Sequence, residues 1–103
     1  MKYGLRETDI EAIQGIFTKY PEVQKVMLYG SRAKGTYRNG SDIDSALFGE
    51  SLDLSLLFKI ETELDVLFLP YKMDVSMIHQ IKNKNLIDHI KRQGLVLYQK
   101  DFR

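Results

Sequence analysis

At 103 residues, the chain is long enough for one domain, residues 1–103, and too short for a second hydrophobic core. Its net charge of +1 argues against direct nucleic-acid binding, which usually requires a basic face, and the lack of cysteine excludes disulfides and thiolate zinc sites. No apolar run approaches the roughly 20 residues of a membrane span and residues 1–6 lack a secretory signal's apolar core, so we expect no membrane partner and a cytoplasmic location.

The first half of the chain is expected to alternate between helix and strand. Thr8-Asp9-Ile10-Glu11 has the pattern of a capping box, and apolar residues then recur at helical spacing as far as Tyr20. A β-rich segment follows over residues 24–29 and leads into a short helix over residues 31–34. Residues 42–48 alternate in polarity closely enough to predict a second strand.

The second half of the chain repeats this alternation. The predicted elements are a helix over residues 53–68, a strand over 72–77, a helix from about Asn85 to Gly94 and a strand over 95–98. The apolar stripe that the first of these helices is expected to bury consists of Leu57, Ile60, Leu64, Leu67 and Phe68. This order of elements predicts an α/β or α+β fold, in which a small mixed β-sheet packs against helices.

Two carboxylates at alternate positions of one predicted strand are the most informative feature of the sequence. Asp42 and Asp44 flank Ile43, so their side chains should project from the same face of the sheet. Carboxylate oxygens are ligands that Mg²⁺ prefers, and two carboxylates this close are suited to share divalent cations. The sequence therefore predicts a magnesium site at Asp42 and Asp44.

A third carboxylate is predicted to complete this site. Asp74 lies in the middle of the predicted strand over residues 72–77, among apolar neighbours. An aspartate buried there without a partner would be costly, and a metal ion is one such partner. Asp74 is therefore the candidate to hold the catalytic metal and to accept the proton of an attacking hydroxyl.

A glycine-serine turn precedes the two aspartates in the sequence. Gly30 has no Cβ and so allows the backbone to approach a phosphate closely, while Ser31 adds a hydroxyl and a helix-start amide. Arg32 and Lys34 follow the turn and are candidates for contacts with the phosphates or the base of a nucleotide. A phosphate-binding turn beside magnesium ligands is the equipment that nucleotidyl transfer from a nucleoside triphosphate requires.

The motif formed by Gly30-Ser31, a ten-residue spacer and Asp42-Ile43-Asp44 resembles that of the DNA polymerase β-type nucleotidyltransferase superfamily. Almost the whole chain is similar to the minimal nucleotidyltransferases, the MntA-like antitoxins that pair with HEPN-domain toxins. This resemblance implies the polymerase β-type fold, binding of ATP with Mg²⁺ and transfer of AMP to a tyrosine of the partner toxin in a hetero-oligomer.

Site residues also follow from the resemblance, position by position. It assigns the triphosphate to Gly30 and Ser31, the metals to Asp42 and Asp44, and the third catalytic position to Asp74. The chain departs from the family pattern at residue 45, where a serine stands in place of the aliphatic residue that commonly follows the second aspartate. We expect this residue to face away from the metals.

Two other functions use the same residues. A subunit without catalytic activity could neutralise its partner by masking it, although such a module has no need to hold three like charges together. A Mg²⁺-dependent phosphohydrolase or nuclease would use the same carboxylates, although the turn at Gly30 and Ser31 would then be superfluous.

Overall fold

Helices and strands alternate along the chain in the computed structural model, which describes residues 2–100. The described elements are α1 (Glu7–Phe17), β1 (Lys25–Tyr29), α2 (Ser31–Lys34), β2 (Ile43–Phe48), α3 (Leu54–Val66), β3 (Met73–Met77), a 3-10 turn (Ile78–Gln80), α4 (Lys84–Gln93) and β4 (Leu95–Gln99). The predicted alternation of helix and strand and the α/β class are thereby confirmed. The predicted domain, residues 1–103, extends beyond the described residues at both ends. Among the helices that the structure describes, none is long and apolar enough to cross a bilayer.

The four strands form one mixed sheet in the order β3-β2-β1-β4. Strand β1 is antiparallel to both β2 and β4, whereas β2 and β3 are parallel. The register sets Tyr29 opposite Asp44, and Asp44 opposite Asp74. Because paired residues project from the same face, these three side chains form a row across three strands. Strands β3 and β4 are the two edges of the sheet.

Helices cover the two faces of the sheet unequally. Helices α1 and α3 pack on one face and form the larger core, whose fully buried members include Phe17, Ile13, Leu28, Ile43, Leu47 and Ile60. Helix α4 packs on the other face, where Ile90 meets Met27 and Ala46 in a smaller core. Tyr29 and Asp44 continue this second face beyond the small core, so part of it is free to carry polar side chains.

Helix α1 begins earlier than the sequence predicts. Its N-cap is Arg6, which makes no side-chain cap, and Thr8 already lies within the helix, so the predicted capping box is wrong. The reason is the side chain of Asp9, which is buried and accepts a hydrogen bond from Nε of Arg6 at 3.2 Å. This ion pair stabilises a helix start one turn upstream of Asp9.

Helix α3 begins as predicted and ends early. The side chain of Asp53 caps it by accepting a hydrogen bond from the amide of Leu56 at 2.8 Å. Three members of the predicted stripe are buried, namely Leu57, Ile60 and Leu64. Phe68 is not, since the helix ends at Val66, and its side chain is 88% exposed with φ 51. The expectation that Phe68 belongs to the buried stripe is therefore wrong.

Gly15, in the last turn of α1, offers a position for stabilisation. An added Cβ would meet no heavy atom within 4 Å. We expect Gly15→Ala to raise the free energy of unfolding by roughly 1 kcal/mol, because alanine loses less backbone entropy in a helix than glycine. Urea denaturation followed by circular dichroism measures this, and an unchanged or lowered midpoint would contradict it.

Candidate active site

The three predicted carboxylates lie close together at one end of the sheet. Asp44 in β2 is paired with Asp74 in β3, and Asp42 immediately precedes β2, close enough for its charge to raise the pKa of Asp44. Asp44 is half-buried, whereas Asp42 and Asp74 are exposed. The expectation that Asp74 is buried is wrong, because β3 is an edge strand. The structure nevertheless brings these three side chains close together.

These carboxylates repel one another. Burial raises the pKa of Asp44, and the negative charges of Asp74 and then Asp42 raise it further. Burial also raises the pKa of the neighbouring Tyr29 hydroxyl, and the charge of Asp44 adds to that increase. Among residues 2–100, none of the ion pairs involves the three aspartates. The negative charge of the site is therefore not neutralised by any ion pair among the described residues.

The donor set of this face fits a magnesium ion in part. Within residues 2–100, no three or more carboxylate or imidazole groups are arranged closely enough to hold a metal ion by themselves. Mg²⁺ usually takes only one or two carboxylates and completes its shell with water and substrate phosphates. Asp42 and Asp44 supply hard oxygen donors of that kind, and their open arrangement leaves ligand positions for a phosphate.

Gly30 brings the turn after β1 into contact with Asp44. Its φ of 76° and ψ of −151° lie in a region that is essentially restricted to glycine. An added Cβ would stand 2.5 Å from Oδ2 of Asp44, so no other residue allows this approach. Helix α2 starts immediately afterwards, and the amide of Lys34 donates to the carbonyl of Gly30 at 3.1 Å. The two parts of the predicted site, turn and carboxylate, are therefore adjacent.

Ser31 and Lys34 are placed at the two ends of α2. Ser31 is half-buried at its start and Lys34 is exposed at its end. None of the ion pairs that the structure shows over residues 2–100 uses the ammonium of Lys34. Both side chains are thus close to the turn, and their contacts with a nucleotide stay predictions.

Arg32 has a different environment from the one predicted. It is 2% exposed, and its guanidinium donates to the carbonyl of Ser41 at 2.7 and 3.1 Å and to that of Tyr3 at 2.9 Å. The aromatic rings of Tyr71 and Tyr37 lie 4.7 and 5.2 Å from it. This burial conflicts with the predicted contact of Arg32 with a nucleotide. The side chain instead ties the turn after β1 to the segment before β2 and to the start of the described chain.

We expect Arg32→Lys to lower the free energy of unfolding by roughly 2–3 kcal/mol, because a single ammonium cannot serve both carbonyls and stack on the rings. Chemical denaturation measures the loss. Arg38→Lys is the matched control, since Arg38 is exposed in the following loop and its substitution should change little. Equal stabilities of the two variants would contradict the assigned role of Arg32.

Ser45 lies on the opposite face from the aspartates, as expected from its position in the strand. It is fully buried, and its hydroxyl donates to the backbone carbonyl of Asp74 at 2.9 Å. This bond fixes β3 against β2 at the residue that carries the third carboxylate. Sequence reasoning missed this positioning role, although a hydroxyl in a buried strand signals a hidden hydrogen-bond partner.

A mixed sheet with a glycine turn after its first strand and aspartates on the next strand is typical of nucleotidyltransferases. The chain belongs to the family described as "Polymerase beta, Nucleotidyltransferase", whose profile matches residues 11–103. No curated protein matches the chain.

Solved structures that are similar to this chain include three toxin–antitoxin complexes. A toxin–antitoxin crystal structure with AMP-PNP has a TM-score of 0.70 at 24% identity, over 93% of this chain and 75% of that one. The toxin–antitoxin MntA-HepT has a TM-score of 0.67 at 18% identity, over 92% and 74%. A tri-AMPylated Shewanella oneidensis HEPN toxin in complex with its MNT antitoxin has a TM-score of 0.67 at 18% identity, over 93% and 74%. The predicted fold and the resemblance to minimal nucleotidyltransferases are thereby confirmed.

Proposed function

We propose that this protein is a Mg²⁺-dependent nucleotidyltransferase that transfers AMP from ATP to a tyrosine of a partner HEPN toxin. The observation that supports the proposal most directly is the cluster of Asp42, Asp44 and Asp74, which adjoins the turn at Gly30 and has no ion pair among residues 2–100. Membership of the family supports transferase activity in general. The reaction consumes ATP, which agrees with a cytoplasmic location.

In this proposal each part of the site has one task. Asp42 and Asp44 hold Mg²⁺, which when bound neutralises charge on the triphosphate and on the departing pyrophosphate. The backbone at Gly30 and the hydroxyl of Ser31 bind the triphosphate, with Lys34 as a further cation. The tyrosine oxygen forms a bond to the α-phosphorus of ATP while the bond between that phosphorus and pyrophosphate breaks. Asp74 accepts the phenolic proton.

The nature of the partner is supported by the similar structures. One of them is a HEPN toxin that carries AMP groups, in complex with its MNT antitoxin, and another contains AMP-PNP. In the present chain Asp42 and Asp74 are exposed, so an acceptor on another protein has access to the site. A hetero-oligomer with a toxin of this class fits both observations.

A labelling assay with ATP tests the proposed reaction. The protein is incubated with MgCl₂, ATP and the proposed partner HEPN toxin, once with label on the α-phosphate and once on the γ-phosphate. We expect the toxin to retain only the α-label, on tyrosine, and chelation of the metal by EDTA to prevent labelling. Release of phosphate without labelling would instead indicate a phosphohydrolase, and neutralisation of the toxin without label would indicate masking.

A further inference from the structure

A cavity of about 440 Å³ lies along the outer edge of β3, beside the candidate active site. Helix α3 and the segment after it form one wall, and β3 forms the other. The residues that line this cavity, called here the β3 groove, are Glu61, Leu64, Asp65, Phe68, Leu69, Tyr71, Lys72, Met73, Asp74 and Val75. Asp74 lines the groove and also belongs to the carboxylate cluster of the candidate active site. A molecule bound in the groove therefore lies next to the site of the proposed reaction.

The groove contains unpaired strand backbone. Within residues 2–100, strand β3 is hydrogen-bonded on one side only, to β2, and the amide of Ile43 donates to the carbonyl of Lys72 at 2.8 Å. Backbone groups alternate in direction along a strand, so those of Met73 and Val75 point away from β2 and into the groove. An exposed edge of this kind accepts an extended peptide as an added strand.

Phe68 presents an apolar surface at the groove in a strained conformation. Its φ of 51 lies in the left-handed region, which is unfavourable for a bulky side chain, and its ring is 88% exposed. Strain of this kind persists where the surrounding structure imposes it and often marks a binding site. An apolar side chain of a bound peptide would cover the ring.

The charge of the groove selects among possible ligands. Three carboxylates line it, those of Glu61, Asp65 and Asp74, against one ammonium, that of Lys72. This excess of negative charge repels a nucleoside triphosphate and attracts a peptide that carries lysine or arginine. The groove therefore fits the acceptor better than it fits ATP.

We propose that the β3 groove binds an extended, basic segment of the acceptor protein as an added strand on β3 and so presents the acceptor hydroxyl to Asp74. The proposal rests on the proposed function, because the acceptor is the substrate of that reaction. It assigns acceptor recognition to the edge of β3 and leaves ATP to the turn at Gly30.

Peptide binding in the absence of nucleotide tests this assignment. The probe is a fluorescein-labelled peptide in which valine and lysine alternate around a central tyrosine, and the matched control peptide has glutamate in place of lysine. We expect the lysine peptide to bind at least tenfold more tightly than the glutamate peptide. Asp65→Lys should weaken binding of the lysine peptide at least tenfold.

Phe68→Gly separates binding from folding. Glycine tolerates the left-handed conformation, so this variant should have a raised melting temperature and yet bind the lysine peptide at least tenfold more weakly. Phe58→Ala is the matched control, because Phe58 is 61% exposed on α3 and lines a different cavity. It should leave peptide affinity unchanged.

Amide exchange measured by NMR tests the added strand itself. On addition of the lysine peptide, the amide protons of Met73 and Val75 should become protected from exchange. Equal binding of the two peptides, equal affinity of the Phe68→Gly and Phe58→Ala variants, unprotected amides, or displacement of the peptide by ATP without metal would each overturn the proposal. No AMP transfer is measured in these assays, so their failure is distinct from a failure of the labelling assay.

Discussion

Asp44→Asn is expected to slow AMP transfer by roughly a thousandfold while the protein stays folded, because a metal ligand contributes several kcal/mol of charge stabilisation in the transition state. The substitution keeps the shape of the side chain and its packing against Gly30 but removes the charge. Transfer is measured with α-labelled ATP and the partner toxin at saturating MgCl₂. Asp88→Asn, an exposed change on α4, is the control and should transfer at the wild-type rate.

We also expect the stability of Asp44→Asn to differ from that of the wild type in a pH-dependent way. The pKa of Asp44 is raised in the folded protein, first by burial and then by the charges of Asp74 and Asp42. The folded state therefore holds the proton more tightly than the unfolded chain, and wild-type stability falls as the pH rises above the ordinary range of an aspartate. At neutral pH without metal, Asp44→Asn should be at least as stable as the wild type, and the two should converge in acid.

With magnesium and nucleotide bound, the wild type should become more stable than Asp44→Asn. A ligand that binds only the folded state raises the melting temperature, so MgCl₂ with a non-hydrolysable ATP analogue should stabilise the wild type and not Asp44→Asn. Equal thermal shifts, or undiminished labelling of the toxin by the variant, would contradict the assignment of Asp44 as a metal ligand.

Gly30→Ala is expected to lower both the rate of transfer and the free energy of unfolding. The added methyl group would stand 2.5 Å from Oδ2 of Asp44, and alanine disfavours a φ of 76° with a ψ of −151°. We expect a loss of roughly 2–3 kcal/mol in the free energy of unfolding, and a loss of transfer of roughly a hundredfold or more because a metal ligand is displaced. Urea denaturation and the labelling assay measure the two effects.

Gly35→Ala separates the two causes. Gly35 also has a positive φ, of 80°, but an added Cβ there would meet nothing within 4 Å. This variant should lose roughly 1 kcal/mol from backbone strain and retain transfer. If Gly30→Ala and Gly35→Ala lose the same stability and both retain activity, the contact between Gly30 and Asp44 has no functional role.

The parts of the site that depend on local geometry could be predicted from the sequence. The Asp42-Ile43-Asp44 pattern predicts two neighbouring carboxylates, and the structure has Asp42 close enough to raise the pKa of Asp44. The turn at Gly30 likewise follows from one residue type between a strand and a helix. These two local features are enough to predict where the candidate site lies.

Features that depend on distant partners could not be predicted in this way. The burial of Arg32 comes from the carbonyl of Tyr3, which lies 29 residues away in the sequence. The exposure of Asp74 comes from strand order, which puts β3 at the edge. The start of α1 differs from the prediction for a local reason, because the ion pair of Arg6 and Asp9, three residues apart, outweighs the capping pattern at Thr8. In each case a tertiary or charge contact outweighs the local signal.

The hydrogen bond from Arg32 to the carbonyl of Tyr3 has a practical consequence for handling this protein. It holds the backbone of Tyr3 against the side chain of Arg32 and so stabilises the turn after β1, although Tyr3 is remote from that turn in sequence. Deleting Tyr3, or fusing a purification tag that displaces it, would break this hydrogen bond, and low activity of such a variant would not contradict the proposed function.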